Sequence, residues 1–234
     1  MITVAASTID RQFINYITLG SGYKIQGYGL NNEVPRGTFP LAIYTRNYPQ
    51  ERYCKTTLNS AYTYYKIVMC YMEAGNDNIA AKSELVREAG GAGISTKEML
   101  LNNPFAIISP TEAALNTKLA PTMAYFSKQG PNAITTDVIK FTAPGFNISA
   151  AFPGGPNEFG IDSGTSMSAP HVTGVAFTIR ATNKRWSVAA IKSAIMTTAI
   201  VNDNTGGPIQ SGAGPATPFD FGSGHLEPDL ALSP

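Results

Sequence analysis

Charged side chains are scarce in this sequence, and their signs nearly cancel. Asp, Glu, Lys and Arg make up 14% of the 234 residues, and the formal net charge is +1 at pH 7. A protein that binds nucleic acid or an anionic membrane surface usually presents a basic face, which this balance does not supply. The composition therefore argues against both kinds of partner.

Long apolar runs are missing as well. The sequence has no stretch of about 18 consecutive apolar residues, the length that a membrane-spanning helix needs. Residues 1–7 have neither the basic start nor the long apolar stretch of a secretory signal. We therefore expect no membrane span and no signal peptide in this chain.

Histidine and cysteine are each present twice, as His171, His225, Cys54 and Cys70. The cysteines are compatible with one disulfide in an oxidising compartment or with two buried thiols, and composition leaves both open. Turn formers are abundant instead, with 22 Gly and 16 Pro. Together with an ordinary apolar fraction of 43%, they indicate a globular and loop-rich fold.

The most informative stretch is residues 164–174, which read Gly-Thr-Ser-Met-Ser-Ala-Pro-His-Val-Thr-Gly. The i, i+3, i+4, i+7 spacing of one helix face is shown by Val172, Val175, Ala176 and Ile179. The pattern predicts a helix from about Ser166 to Arg180, with Ser166 at its N-terminus. Unpaired N–H groups and the helix dipole favour negative charge there, such as the oxyanion of an acyl-transfer intermediate. We expect Pro170 within the first turn, where its missing N–H would have no partner in any case.

A serine-rich helix cap without catalytic role is the alternative interpretation of this stretch. Other serine chemistries fit it less well. A nucleophile elbow requires glycine two residues after the serine, where Ser168 stands. A Ser-x-x-Lys enzyme requires lysine at the position of Ala169.

Residues 164–174 closely resemble the nucleophile segment of plant-type subtilisin-like serine proteases, the cucumisin-like subtilases. The resemblance implies that Ser166 is the catalytic nucleophile. It also implies an α/β fold with a doubly wound parallel sheet, of which this chain holds an incomplete part. The other motif positions that carry the match and support the serine are Gly164, Thr165, Met167, Pro170, His171 and Gly174.

Other segments follow the same family in order. Residues 2–6 have the short apolar run of a buried parallel strand, and residues 13–30 alternate as in a hairpin. A second helix is predicted from an N-cap at Ser187 to about residue 199. Its apolar face would consist of Val188, Ile191 and Ile195. Further segments that resemble the family's catalytic domain are 3–11, 121–132, 139–145 and 218–228.

The region from residue 40 to residue 112 has a different character. A strand at residues 64–70, a helix from Asn78 to the pair Gly90-Gly91, and a following strand are predicted there. The segments 54–70 and 88–94 resemble the protease-associated domain that plant subtilases carry as an insert, here in a truncated form. The resemblance implies a disulfide between Cys54 and Cys70.

We therefore expect three regions in the chain. Residues 1–39 would be a core strand and hairpin of the subtilase domain. Residues 40–112 would be the truncated protease-associated insert, a small α+β or β-rich region. Residues 113–234 would be the C-terminal part of the catalytic core with the nucleophile helix.

The sequence offers no base for Ser166. A serine nucleophile needs a base that a carboxylate orients, and in subtilases the triad order is Asp, His, Ser, whereas both histidines here follow Ser166. His171 lies about 140° around the helix from Ser166 at about 100° per residue, so its ring is expected to point away. We expect His225 to be structural and Asp162 to be a loop carboxylate.

The predicted function is that of a subtilisin-like serine endopeptidase, which hydrolyses peptide bonds through an acyl-enzyme on Ser166. Lacking the triad Asp and His, this chain is expected to be inactive alone. Its partner would be a protein or peptide substrate, without cofactor or metal ion. The alternative is a non-catalytic binding protein, a pseudoprotease, that uses the insert at 40–112. The resemblance implies an extracellular (apoplast) or secretory location, which the Asn147-Ile148-Ser149 sequon supports weakly.

Overall fold

The computed structural model describes residues 2–29, 36–44, 49–73, 79–96, 105–131, 140–153 and 158–234. The predicted N-cap Asn78 and parts of segments 121–132 and 139–145 lie outside these ranges. In chain order the helices and strands are β1 (Thr3–Ser7), β2 (Gln12–Leu19), β3 (Lys24–Tyr28), β4 (Phe39–Ile43), α1 (Pro49–Arg52), α2 (Ser60–Thr63), β5 (Ile67–Met69), α3 (Ile79–Glu88), β6 (Gly93–Ser95), β7 (Phe105–Ile108), β8 (Glu112–Ala114), β9 (Lys140–Pro144), β10 (Ile148–Ala151), β11 (Phe159–Asp162), α4 (Thr165–Thr182), α5 (Val188–Thr197), β12 (Gln210–Ser211), β13 (Gly214–Pro215), α6 (Pro218–Phe221) and α7 (Pro228–Leu232).

The chain divides into two compact units. We call residues 13–112 the disulfide unit, and residues 1–12 with 113–234 the serine unit. The boundary between the units thus lies before the hairpin, after residue 12. The sequence patterns had placed the hairpin in the region 1–39, together with the strand at residues 2–6. The physical reason is strand pairing, because β2 hydrogen-bonds to β7 as well as to β3 and so joins the hairpin to the sheet that contains β4.

The disulfide unit is built on a mixed sheet with the strand order β3-β2-β7-β4-β5-β6. The predicted hairpin is confirmed, since β2 and β3 pair antiparallel with Ile17 opposite Ile25. The strands β4, β5 and β6 are parallel, and α3 connects β5 to β6 as the strand–helix–strand pattern predicted. The strand expected at residues 64–70 is shorter, because residues 64–65 form a turn before β5.

Apolar side chains cover both faces of this sheet. Alternation along β5 places Ile67 and Met69 in one cluster with Phe39, and Val68 in another cluster with Val86 of α3. The helix ends as predicted at Gly90, which has φ 77°. The N–H of Gly90 donates to the carbonyl of residue 87, and that of residue 91 to the carbonyl of residue 86.

The serine unit contains a parallel strand pair covered by helices. β1 pairs with β9, with Ala5 opposite Thr142 and Ser7 opposite Pro144, and α4 packs on both strands. Phe141 of β9 lies in one buried cluster with Val172 and Ile179 of α4. The described residues thus confirm the α/β class and the predicted strand near residues 2–6.

The two predicted helices are present, with one correction. Helix α4 buries the face that its periodicity predicted, and Ser187 caps α5 by accepting a hydrogen bond from the N–H of Ala190 at 3.1 Å. Val188, however, was predicted in the apolar face and is 81% exposed. It is the first residue of α5, and the helix reaches the buried cluster only one turn later, at Ile191.

Across the described residues, none of the helices combines the length and the apolar character needed to span a bilayer.

Candidate active site

Ser166 lies at the edge of the parallel pair where both strands end. β1 and β9 finish opposite each other at Ser7 and Pro144. Gly145 then donates its N–H to the Ser7 carbonyl at 2.9 Å, and its own carbonyl accepts from the N–H of Gly164 at 2.8 Å. Because Gly164 is the N-cap of α4, these bonds bring the start of the helix to the carboxyl ends of the strands. In α/β sheets this is the edge at which ligands bind.

No side chain other than hydrogen fits at Gly145. A Cβ there would lie 2.1 Å from Oγ of Ser168, 2.7 Å from the carbonyl oxygen of Gly164 and 2.8 Å from Cβ of Ala6. The turn after β9 therefore approaches the helix more closely than any other residue would allow. This contact fixes Gly164 and, two residues further on, Ser166.

Ser168 anchors the first turns of α4 to the strand beneath. Its side chain is buried, and its hydroxyl donates to the carbonyl oxygen of Ala143 at 2.9 Å. The sequence reasoning used Ser168 only to argue against a nucleophile elbow and missed this role. The signal that could have revealed it is the spacing to Val172, four residues later on the buried face.

Ser166 itself is exposed and is the second residue of α4. The N-cap Gly164 has no side chain that could accept a hydrogen bond from the first N–H groups of the helix. The N–H of Met167 donates to the Gly164 carbonyl at 3.0 Å. Within the described part of the chain, the N–H groups of Thr165 and Ser166 have no acceptor, so the helix end presents free donors and a positive dipole end beside the Ser166 hydroxyl. Such an arrangement stabilises an oxyanion.

The prediction for Pro170 is wrong. The helix begins at Thr165, so Pro170 lies inside α4 in its second turn rather than in the first. Its missing N–H would have donated to the carbonyl of Ser166, four residues earlier, and its ring crowds that carbonyl. The carbonyl of the candidate nucleophile Ser166 therefore lacks the helical hydrogen bond that another residue at position 170 would donate.

His171 is turned towards its own helix. Its Nδ1 lies 2.9 Å from the carbonyl oxygen of Met167. Since a carbonyl only accepts, Nδ1 carries the proton and donates it. Nothing in the stretch 158–234 that surrounds Ser166 joins its hydroxyl by a hydrogen bond to a histidine or a carboxylate. Asp162 is exposed at the end of β11, where its Oδ1 accepts from the N–H of Ser163 at 2.7 Å.

His225 has a structural environment. Its backbone N–H and carbonyl pair with Ile200 at 2.7 and 2.9 Å, and its ring nitrogen Nε2 is buried without a partner among the described residues. The pKa of His225 is lowered to about 4, mainly by burial; a hydrogen bond at the Leu226 backbone raises it, and nearby His171 adds a smaller lowering effect. The ring is therefore neutral at pH 7.

The remaining motif positions differ in what they contact. Thr165 is exposed and begins α4. A Cβ at Gly164 would lie 3.3 Å from the sulfur of Met167, so the Met167 side chain packs closely against Gly164. A Cβ at Gly174 would meet no atom within 4 Å, and the structure shows no packing reason for glycine at that position.

Cys54 and Cys70 of the disulfide unit are bonded to each other, with their Cα atoms 5.5 Å apart. Both are buried in the cluster that contains Val68. As far as the structure describes the chain, no three His, Cys, Asp or Glu side chains are grouped so that they could hold a metal ion.

Several known proteases are similar to this chain in sequence. Subtilisin-like protease SBT5.1 of Arabidopsis thaliana is 37% identical, over 97% of this chain and 36% of the relative. Subtilisin-like protease SBT5.3 of the same plant is 33% identical, over 100% of this chain and 37% of the relative. A solved structure of the Patellamide maturation protease PatA is 24% identical with a TM-score of 0.36, over 47% of this chain and 38% of that chain.

The chain spans less than two fifths of the length of these curated relatives. The alignment with SBT5.3 runs over 288 positions, against 234 residues here, so the relative contains segments that this chain does not. The pattern that defines the Subtilase family (Peptidase S8) matches residues 2–224. With nearly the whole sequence matched in this way, the chain belongs to the Subtilase family.

Proposed function

We propose that Ser166 is the nucleophile of a subtilisin-like serine endopeptidase that acts on protein or peptide substrates. The observation that carries the proposal is the exposed hydroxyl of Ser166 beside the free N–H groups that begin α4, in a chain of the Subtilase family. The close contact at Gly145 supports it, since it holds this helix end rigidly at the carboxyl edge of the strands.

The reaction would proceed in two halves. In the first, Oγ of Ser166 forms a bond to the carbonyl carbon of the substrate, while a base takes the hydroxyl proton and passes it to the leaving amine. The N–H groups at the helix start stabilise the negative oxygen of the intermediate. In the second half, water attacks the resulting ester, releases the carboxylic acid and restores the serine.

The base has to come from a histidine other than the two in this chain. Among the described residues, neither ring hydrogen-bonds to the Ser166 hydroxyl. The ring of His171 bonds to the Met167 carbonyl of its own helix, and burial lowers the pKa of His225 to about 4, which makes that ring a weak base. Without a base the serine hydroxyl is a poor nucleophile. We therefore expect the 234-residue chain by itself neither to cleave casein nor to react with a fluorophosphonate probe.

A chimera tests the role of Ser166. The part of SBT5.1 that aligns with this chain is replaced by the 234 residues, and the secreted product is treated with a fluorescent fluorophosphonate. We expect labelling, and a loss of at least about 1,000-fold in its rate in the Ser166→Ala variant. Ser193→Ala is the matched control, because Ser193 is exposed on α5.

Labelling that persists in Ser166→Ala contradicts the proposal. A chimera that unfolds cooperatively on heating, and so is folded, but takes up no probe favours the alternative function.

That alternative is a binding protein that uses the insert at residues 40–112 of the disulfide unit, and one observation favours it. This unit has apolar clusters on both faces of its sheet and still exposes three neighbouring aromatic side chains, Tyr62, Tyr64 and Tyr65, by 41%, 69% and 57%. Aromatic side chains of this kind are enriched at binding interfaces.

We also infer that residues 40–112 are a shortened protease-associated insert and that the protein is secreted. The first inference rests on the sequence resemblance. The second is supported by the bond between Cys54 and Cys70, since disulfides persist in oxidising compartments. The sequon does not add support, because Nδ2 of Asn147 is buried in the fold and is not accessible for glycosylation.

A further inference from the structure

A cavity of about 860 Å³ opens on the serine unit near the edge that holds Ser166. Thr8, the first residue after β1, and Phe146, which follows Gly145, both line it. Gly145 is the residue whose carbonyl accepts from Gly164 at the start of α4. The cavity wall and the start of α4, which carries Ser166, are therefore linked through one short run of backbone contacts.

The walls of the cavity are two segments that are far apart in sequence. One wall is residues 119–129, and the other is the turn between β12 and β13. The N–H of Met123 donates to the carbonyl of Gln210 in β12 at 2.8 Å and so joins the two segments. The N–H of Thr8 donates to the carbonyl of Thr122 at 2.8 Å and ties the same wall to β1. These bonds hold the walls at a fixed separation.

The lining offers little free charge. Its charged side chains, among the described residues, are Lys128, which is exposed, and Asp220, which is 4% exposed. Both carboxylate oxygens of Asp220 already accept hydrogen bonds. Oδ1 accepts from Gln129 Nε2 at 2.6 Å and Ser211 Oγ at 3.0 Å, and Oδ2 accepts from the N–H and hydroxyl of Thr217 at 2.8 Å each. The carboxylate therefore stabilises the wall rather than serving a charged ligand.

Hydroxyl and amide side chains share the lining with apolar ones, and two of its large apolar side chains are exposed. Tyr125 is 91% exposed and Leu119 is 47% exposed. Tyr125 packs edge-on against Phe126 with ring centroids 5.2 Å apart, which restricts the position of its ring. Exposed large side chains that line one cavity are a sign of a binding site.

We propose that this cavity binds an uncharged, apolar side chain of the polypeptide substrate, at a residue away from the bond that is cleaved. The assignment rests on the proposed function, because peptides are the substrate class of a Ser166 endopeptidase. An aromatic or large aliphatic side chain would cover Tyr125 and Leu119 and bury apolar surface. A lysine side chain would lose its hydration without gaining a free carboxylate, because Asp220 is already hydrogen-bonded. A glutamate side chain would meet only Lys128, which is exposed, and an ion pair at an exposed site contributes little.

Binding is measured with the Ser166→Ala form of the full chain, so that no turnover interferes. The probes are four pentapeptides, acetyl-Ser-Gly-X-Gly-Ser-amide with X as Phe, Ala, Lys or Glu, titrated while the NMR amide signals of Gly212 and Ala213 are followed. We expect the Phe peptide to bind at least about 10-fold more tightly than the Lys and Glu peptides.

Two variants localise the binding. Tyr125→Ser removes an exposed ring of the lining, and Ala213→Trp fills the cavity from an exposed turn; each should weaken the Phe peptide by at least about 10-fold. Tyr23→Ser is the control, because Tyr23 is 68% exposed in the disulfide unit.

Equal affinity for the four peptides, absence of binding, or unchanged binding in both cavity variants would overturn the assignment. Since this titration does not use the serine, its failure leaves the labelling of the chimera unaffected. A chimera that fails to label likewise leaves a positive titration standing as a peptide-binding site.

Discussion

In the disulfide unit, large side chains cover both faces of one sheet, whereas at the edge of the serine unit that holds Ser166 the backbones themselves approach through small residues. Phe39, Ile67 and Val68 are at most 1% exposed and belong to the two faces of the first. In the second, the contact beside the candidate nucleophile joins Gly145 to Ala6 and Ser168.

The difference follows from the structural requirement of each unit: one has to form a stable sheet, and the other has to hold a helix N-terminus at the ends of its strands. A sheet that only has to be stable can be filled with large apolar groups, since each buries surface. A helix N-terminus that has to stand at the strand ends with its N–H groups free needs a close backbone approach, which a large side chain would prevent. The sheet of the disulfide unit is therefore sensitive to lost volume or covalent constraint, and the backbone contact at Gly145 to an added atom.

Removal of the disulfide is the largest expected effect and concerns the first unit. Cys54 and Cys70 are separated by 16 positions and are buried. The Cys54→Ala/Cys70→Ala double variant should lose about 3 kcal/mol of unfolding free energy, the chain-entropy value for a loop of this size. Denaturant unfolding with amide exchange in β5 measures the loss, and the amides of α4 serve as the internal reference. Equal loss in both places would mean that the units do not differ as argued.

The second prediction concerns the serine unit and adds an atom, a methyl group at Gly145, instead of removing a bond. Three atoms would lie within 3.0 Å of the new Cβ, one of them a backbone oxygen. We expect Gly145→Ala to lower the unfolding free energy by about 2–3 kcal/mol through overpacking. Gly174→Ala is the matched control: the site is open and lies inside α4, so the same added methyl should stabilise by about 0.5–1 kcal/mol. Similar changes in the two variants, measured by thermal unfolding, would show that close approach is not what limits position 145.

Acidification should weaken the serine unit through His225. Its pKa is about 4 in the folded chain because the ring is buried, against about 6.5 when unfolded. Below about pH 6.5 the unfolded chain takes up a proton that the folded chain refuses, so the free energy of unfolding falls. Between pH 7 and pH 5 the expected loss is about 2 kcal/mol.

The carboxyl groups Asp203 and Asp220 do not contribute to the expected loss between pH 7 and pH 5. Hydrogen bonds, led by Thr205 at Asp203, keep the pKa of that carboxyl below its ordinary value; at Asp220, burial raises the pKa but bonds from Thr217, Gln129 and Ser211 outweigh it. The stability that these two carboxylates contribute to the fold is therefore lost only at pH values below about 4. His225→Gln should flatten the stability profile from pH 7 to pH 5, and an unchanged slope in this variant would assign it to other groups.

Local patterns in the sequence predicted the elements well, and long-range contacts account for what was missed. The periodic face of α4, the N-cap Ser187 and the glycine pair after α3 each depend on neighbours within a few residues. The hairpin was separated from its sheet because β2 pairs with β7, far along the chain. No local pattern signals such a partner.

The same limit applies to the site. Ser166 was found because its motif is contiguous, and its position at a helix start follows from periodicity. The depth of Pro170 in α4 was misjudged, because even from Ser166 the proline is the fifth residue and lies beyond a first turn of about 3.6 residues. The cavity depends on Met123 meeting Gln210, a contact that no motif encodes.

Val188 is the smallest test of the comparison and returns to a residue that the sequence misplaced. Its side chain is 81% exposed at the first position of α5, whereas Ile191, one turn later, is 8% exposed in the cluster with Phe141. Val188→Ala should change the unfolding free energy by less than about 0.5 kcal/mol, since little apolar surface is lost from the core. Ile191→Ala should cost about 2–4 kcal/mol, because it leaves a cavity. If denaturant unfolding gave Val188→Ala a cost near that of Ile191→Ala, the apolar face of α5 would begin at residue 188 as the sequence suggested, and large side chains would matter more in the serine unit than the contrast with the disulfide unit allows.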